Sequence, residues 1–242
     1  MVKINRNTLA IAISLAAIAV LAWAERPHAP GAGGIDAAPA ANARLLPELA
    51  PVADVPGLPR VLLIGDSISI GYTLPVRKLL EGKANVHRIP FNGRSTMDHV
   101  AEVESSLDDG KWDVIHFNWG LHDLKLMPDG RHQVEPGEYE KNLRALVKRL
   151  RATGARLIWA TTTPVPEDGI DAERRPADVK VYNDIALEVM RENGVAVDDL
   201  NADVVPRLAE LQKPHDVHYS RAGYEFLAKK VAARIEAALP RE

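Results

Sequence analysis

The sequence predicts an α/β domain: a parallel sheet with helices packed on both faces. Three observations carry this. Apolar runs of strand length alternate along the chain with amphipathic stretches of helix length. Those runs are almost unbroken in apolar residues, as suits strands covered on both faces. Gly or Pro punctuates the junctions, and strand–helix alternation requires crossover connections between parallel strands.

Arg60-Val-Leu-Leu-Ile64, closed by Gly65, predicts the first strand. Asn85–Ile89 predicts a weaker second strand, Trp112–Asn118 a third, Ala155–Thr161 a fourth and Val195–Val197 the last. A helix is expected over 138–153, where Leu143, Leu146, Val147 and Leu150 share one face and Gly154 serves as C-cap. A second runs over 178–192 and stops at Gly194. A third, over 220–239, has Phe226, Leu227, Val231 and Ile235 on one stripe and Ser220 as its N-cap. There is no internal repeat.

The 242 residues are 46% hydrophobic and 26% charged, an ordinary globular composition. A formal net charge of -3 argues against a protein that binds nucleic acid, which needs a basic excess to neutralise phosphates. With no cysteine, the chain has no disulfide scaffold, thiolate zinc site, cysteine nucleophile or cysteine-linked lipid. Lys3 and Arg6 precede an apolar stretch from Thr8 to Ala24 that ends in the small-x-small sequence Ala22-Trp23-Ala24. Residues 1–24 therefore read as a secretory signal peptide, or as an uncleaved membrane anchor, since the stretch lies at the lower limit for spanning a bilayer. Either reading makes the protein exported, periplasmic or secreted, with membrane contact only through this segment. Residues 25–57 are rich in Pro and Ala and poor in large apolar side chains, and read as a linker with a short ordered piece near 45–49. The domain is then 58–242, long enough to bury roughly 70% of its unfolded surface.

In parallel sheets, ligands sit beyond the carboxyl ends of the strands. After the first strand, Gly65-Asp66-Ser67 puts a hydroxyl at a helix N-terminus, where negative charge is favoured. The rival reading is that Asp66 or Ser67 only caps the helix. After the second strand, Gly93 offers a backbone N–H that no side chain obstructs, unless Asn92-Gly93 is merely a tight turn. After the third comes Asn118-Trp119-Gly120-Leu121-His122-Asp123. Here Asn118, Trp119 and Asp123 are candidate substrate-binding residues, against the alternatives that Trp119 is core and Asp123 a cap. Before the last helix, His215-Asp216-Val217-His218 holds a base with its orienter, or metal ligands. Loop histidines three apart are not a metal signature, and no His-Glu-x-x-His is present, so neither a metal nor a cofactor is expected.

Gly65-Asp66-Ser67-Ile68-Ser69, then Gly93, then Gly120-Leu121-His122-Asp123, then His218, resemble in order the blocks of the SGNH/GDSL hydrolase superfamily. The third block is a Gly-Leu-His-Asp variant of the usual Gly-x-Asn-Asp. The resemblance implies a three-layer, flavodoxin-like fold with a five-stranded sheet of order 2-1-3-4-5. It also implies esterase chemistry: Ser67 as nucleophile, His218 as general base, and Ser67 N–H, Gly93 N–H and the His122 ring as oxyanion donors. The family's acid stands three residues before the base, where this chain has His215; Asp216 stands two before. Asp216 is therefore the first candidate orienter of His218 and His215 the second.

An exported serine esterase of this size suits a small-molecule or polysaccharide ester. Gly93-Arg94-Ser95 is similar to block II of rhamnogalacturonan acetylesterases, while Gly65–Tyr72 is similar to block I of periplasmic thioesterase/lysophospholipases. The expectation is removal of short acyl groups, acetyl above all, from a carbohydrate or other small ester. The alternatives are a lipid esterase or thioesterase-lysophospholipase, and an acyltransferase or non-hydrolytic glycan-binding domain.

Overall fold

The computed structural model describes residues 46–107, 110–167 and 173–240. The apolar leader and the linker up to residue 45 lie outside the described residues. Five parallel strands, β1 (Arg60–Ile64), β2 (Asn85–Arg88), β3 (Val114–Phe117), β4 (Arg156–Ala160) and β5 (Ala196–Asp198), form one sheet of order β2-β1-β3-β4-β5. This is the expected order. The strand order reverses between β1 and β3, so the ligand crevice of such a sheet opens beyond their carboxyl ends.

Helices α1 (Ser67–Leu79), α2 (Thr96–Leu107), α3 (Pro136–Arg151) and α4 (Pro176–Asn193) connect the strands in turn. Short helices α5 (Leu200–Val204) and α6 (Leu208–Leu211), with a 3₁₀ turn between them, lead to α7 (Arg221–Ala238). Helix α1 packs on α7, whereas α2, α3 and α4 pack in succession. Val61, Leu62, Leu63 and Ile64 are buried at the centre of the core, joined by Phe117, Trp159, Leu143, Leu146 and Val231.

The expected elements shift by one or two residues at their ends. Helices α3 and α4 each begin at a proline, Pro136 and Pro176, two residues before their apolar stripes predict. Proline suits that position because its φ is already helical and its missing N–H has no helical partner there. Gly194 caps α4 in the left-handed region (φ 63), but α3 ends at Arg151 with Ala152 as C-cap, and Gly154 follows at φ 77. Ser220 caps α7, its hydroxyl accepting the Gly223 N–H at 3.1 Å. Helix α2, which no apolar stripe announces, starts at a reciprocal cap. Ser95 Oγ donates to Asp98 Oδ2 at 2.6 Å and accepts the Asp98 N–H at 3.3 Å.

The stretch 46–57 forms a turn at Leu46–Leu49 and lies against the sheet edge. Asn85 holds both the N–H and the carbonyl of Val55, at 2.8 and 3.0 Å, and Arg77 donates to the carbonyls of Pro47 and Ala50.

Candidate active site

Strand β1 stops at Ile64, and the chain turns through Gly65 and Asp66 into α1. Asp66 is the N-cap: its Oδ1 accepts the Ile68 N–H at 2.9 Å and its carbonyl accepts Ile70 N–H at 3.0 Å. Ser67 is the first helical residue, so its side chain and N–H sit where the dipole and unpaired amides favour negative charge. The capping role thus falls to Asp66 and leaves the Ser67 hydroxyl available.

The second component comes from the loop before α7. Gln212 and Tyr219 pair as an antiparallel bridge, and Lys213 N–H donates to His218 O at 2.9 Å. Between them the chain turns tightly: Asp216 N–H bonds Lys213 O at 3.3 Å and His215 takes a positive φ of 57. The turn re-aims Asp216. Its Oδ1 accepts both the His218 backbone N–H (3.0 Å) and the ring Nδ1–H (2.7 Å), while His218 Nε2 lies 2.9 Å from Ser67 Oγ. A carboxylate on Nδ1 selects the tautomer whose Nε2 lone pair faces the hydroxyl. Partial burial pushes the Asp216 carboxyl up, but its bonds to His218, with Lys213 nearby, outweigh that and hold it below the usual range. His215 is exposed at the tip of the turn and does not orient His218, because Asp216 already occupies Nδ1.

Four further expectations need correction. The Gly93 N–H is committed to Gly65 O at 2.9 Å, so it is not an unengaged oxyanion donor in this arrangement. A Cβ at Gly93 would lie 2.9 Å from that same carbonyl oxygen, so glycine is required for the close approach. Asn118 turns its amide to Ala160 O (2.7 Å) and Thr162 Oγ1 (3.3 Å), bracing β3 against the end of β4 rather than facing a ligand. Trp119 is core: it is buried against Phe117 and His99, and its carbonyl accepts the Tyr139 hydroxyl at 2.9 Å.

Asp123 is also structural. Fully buried, it accepts the N–H and hydroxyl of Thr96 at 2.8 and 2.6 Å, pinning the start of α2 to the loop after β3. Burial raises its carboxyl to about 7 against the lowering effect of the Thr96 bonds.

His122 is half-buried on that loop. Burial is the largest influence and lowers its pKa; the Asp66 and Asp98 carboxylates oppose this, and Arg174 and Lys125 reinforce it. A lowered pKa keeps the ring neutral at pH 7, so it donates from one nitrogen only.

Sequence reasoning passed over Arg88, the last residue of β2. Its guanidinium is buried and donates from Nη2 to Gly65 O (2.8 Å) and Asp66 O (3.2 Å), and from Nη1 to Ser69 Oγ. The available signal was a cation closing a strand at the ligand edge of the sheet.

Side-chain exposures of 37% for His218 and 39% for Asp216 make this an open site. A serine, an imidazole and a carboxylate in hydrogen-bonded series are the components of nucleophilic acyl transfer.

Comparisons with known proteins bear on the family and the fold. The model of the GDSL-like Lipase/Acylhydrolase family matches residues 63–226. The fold is similar to that of a lipase/acylhydrolase from Enterococcus faecalis (TM-score 0.66, 20% identity, covering 76% of this chain and 99% of that one). It is similar also to the acetyl xylan esterase AlAXEase (0.64, 18%, covering 73% and 99%). A third similar fold is that of Axe2, an acetylxylan esterase from Geobacillus stearothermophilus (0.60, 24%, covering 73% and 94%). A search of curated proteins found no match. With a family match over residues 63–226, more than half of the chain, on an SGNH-type sheet, this chain belongs to the GDSL-like lipase/acylhydrolase family.

Proposed function

We propose that the protein is an exported serine esterase that works through an acyl-enzyme and removes short acyl groups, acetyl above all, from a carbohydrate or other small ester. One observation carries this reading: the series Ser67 Oγ, His218 Nε2, His218 Nδ1, Asp216 Oδ1, with steps of 2.9 and 2.7 Å.

In this reading Ser67 Oγ attacks the ester carbonyl while His218 Nε2 takes its proton, and Asp216 stabilises the resulting imidazolium. The Ser67 N–H at the start of α1 and the His122 ring donate to the oxyanion. His218 then returns the proton to the departing alcohol oxygen, leaving an acyl ester on Ser67. Water, deprotonated by His218, attacks that ester and releases the carboxylic acid and the free serine.

The open position of His218 and Asp216 supports a bulky alcohol portion such as a saccharide. A cleft of about 750 Å³ adjoins the same loop, bounded by Pro166, Pro206, Arg207, Lys213 and His215. Two of the similar structures are acetylxylan esterases, which supports the acetyl preference. The apolar stretch Thr8–Ala24 supports export; among the described residues no helix is long and apolar enough to cross a membrane.

The test is labelling of the full chain with a fluorophosphonate, followed by peptide mapping and assays on acetyl and long-chain esters. A label on the Ser67 peptide and faster turnover of acetylated oligosaccharide are expected. A folded but unlabelled protein overturns the serine mechanism; preference for long acyl chains overturns the substrate assignment.

A further inference from the structure

Arg88 lies in register with Leu63 of β1, and its guanidinium reaches beneath the turn that carries Ser67. It is only 7% exposed, and burial draws its pKa down to about 10, so it is charged at neutral pH. None of the hydrogen bonds described for it goes to a carboxylate. They go to the carbonyls of Gly65 (2.8 Å), Asp66 (3.2 Å) and Phe91 (3.5 Å) and to Ser69 Oγ. Three of these four acceptors belong to the five residues Gly65–Ser69 around Ser67.

A trans peptide is planar, so its C=O and the following N–H point in opposite directions. Drawing Asp66 O inward aims the Ser67 N–H outward, toward the place where the oxygen of a reacting carbonyl would lie. Gly65 O is shared: it accepts Arg88 Nη2 at 2.8 Å and the Gly93 N–H at 2.9 Å. The helix's own bonds to Asp66 from Ile68 and Ile70 hold the turn from the side of α1, and the cation adds a second brace that joins it, through Gly65, to the loop after β2. Its charge also lies behind the positive end of α1 and adds to the field facing an oxyanion. Fixed donors of this kind stabilise a transition state because they need no reorganisation when charge develops.

We infer that Arg88 is a positioning residue of the esterase: the fork of its guanidinium holds the Gly65–Ser69 turn so that the Ser67 hydroxyl and N–H meet His218 and the oxyanion. This rests on the serine-esterase reading above. Arg88 touches no substrate; it acts through the peptide groups it holds. A side chain of similar bulk without donors would fill the space but lose the aim, and small displacements of reacting groups cost on the order of 10²-fold in rate.

The test uses the full chain with Arg88→Met and Arg88→Lys. Fluorophosphonate labelling rates, kcat and KM on an activated acetyl ester, and thermal unfolding are measured for each. Arg88→Met is expected to fold and to lose on the order of 10²-fold in labelling rate and kcat with KM nearly unchanged, with Arg88→Lys recovering part of the loss. Wild-type labelling and kcat in a folded Arg88→Met, or a loss confined to KM, overturns the role of Arg88 and leaves the serine mechanism standing. An unlabelled wild type overturns the serine mechanism and this role with it. Should Arg88→Met not fold, Arg88→Lys decides: lowered kcat at unchanged KM supports the role, and undiminished kcat overturns it.

Discussion

Asp216 holds His218 from two residues away, and with a single oxygen: Oδ1 accepts the backbone N–H at 3.0 Å and the ring Nδ1–H at 2.7 Å. The double bond ties the ring to its own backbone through the carboxylate, so the imidazole plane is set before substrate arrives. Replacing the triad Asp of a well-studied serine protease by a neutral group lowered kcat by about 10⁴. Asp216→Ala is therefore expected to lower kcat by on the order of 10²–10⁴, with little change in KM. His215→Ala, at the exposed tip of the same turn, is expected to keep near-wild-type kcat. Steady-state kinetics of both variants checks this; a larger loss in the His215 variant would exchange the two roles.

His122 lies half-buried on the loop after β3, beside the buried Asp123. Its ring donates from one nitrogen when neutral, and burial favours that neutral form. Removing one oxyanion donor from a serine hydrolase costs on the order of 10²–10³ in kcat. His122→Ala is expected to lose activity on that scale, and His122→Asn to keep most of it. Because His122 titrates below the ordinary imidazole range, the Asn variant should also lose a feature on the acid side of the kcat profile. A pH profile identical in the Asn variant and wild type would show that the His122 charge state does not enter the rate.

The architecture was legible because strand burial leaves a plain mark. Val61-Leu62-Leu63-Ile64 has no polar break, and Gly194 and Ser220 mark helix ends by backbone and cap chemistry. The loops carrying Ser67 and His218 were legible for a related reason: chemistry at a sheet edge needs unusual residues at strand and helix ends. What composition does not show is which way a polar side chain turns. Asn118 and Asp123 look identical in sequence to ligand-facing residues, yet their bonds go to Ala160 and Thr96. His215 looks like the acid's replacement until the turn at φ 57 brings Asp216 round. Arg88 is easily passed over because a charged residue in a weak strand reads as an exposed edge, whereas here its partners are carbonyls folded over it.

Asp123 gives a stability prediction. Burial raises its carboxyl to about 7 in the folded protein, against 3.8 for a freely solvated aspartate. Folding therefore takes up a proton between about pH 4 and pH 7. Stability from this group is greatest below about pH 4, falls as pH rises, and levels off above about pH 7. The full span of that loss is at most about 4 kcal/mol. Asp123→Asn cannot titrate, so the variant should lose less stability than wild type between pH 5 and pH 8. Urea unfolding of both proteins at the two pH values measures the difference. Equal losses would mean that Asp123 stays ionised across the range, held by the Thr96 N–H and hydroxyl.

Gly93 separates the packing and chemical roles of its loop. Any Cβ there meets Gly65 O at 2.9 Å and Gly65 C at 3.1 Å, and backbone atoms cannot rotate aside as a side chain can. Gly93→Ala must push the loop after β2 away from the Ser67 turn and lengthen the Gly93 N–H to Gly65 O bond. Overpacking of this sort costs typically about 1–3 kcal/mol. The same shift moves Gly65, and with it the Asp66–Ser67 peptide, so kcat should fall with stability, by up to about 10²-fold. Thermal unfolding together with kcat on an activated acetyl ester reads both effects. A variant as stable as wild type but inactive would show that Gly93 serves the chemistry directly, with its N–H leaving Gly65 O during the reaction. A destabilised but fully active variant would show that the turn at Ser67 keeps its aim without the Gly93 contact, and that Arg88 alone suffices to hold Gly65.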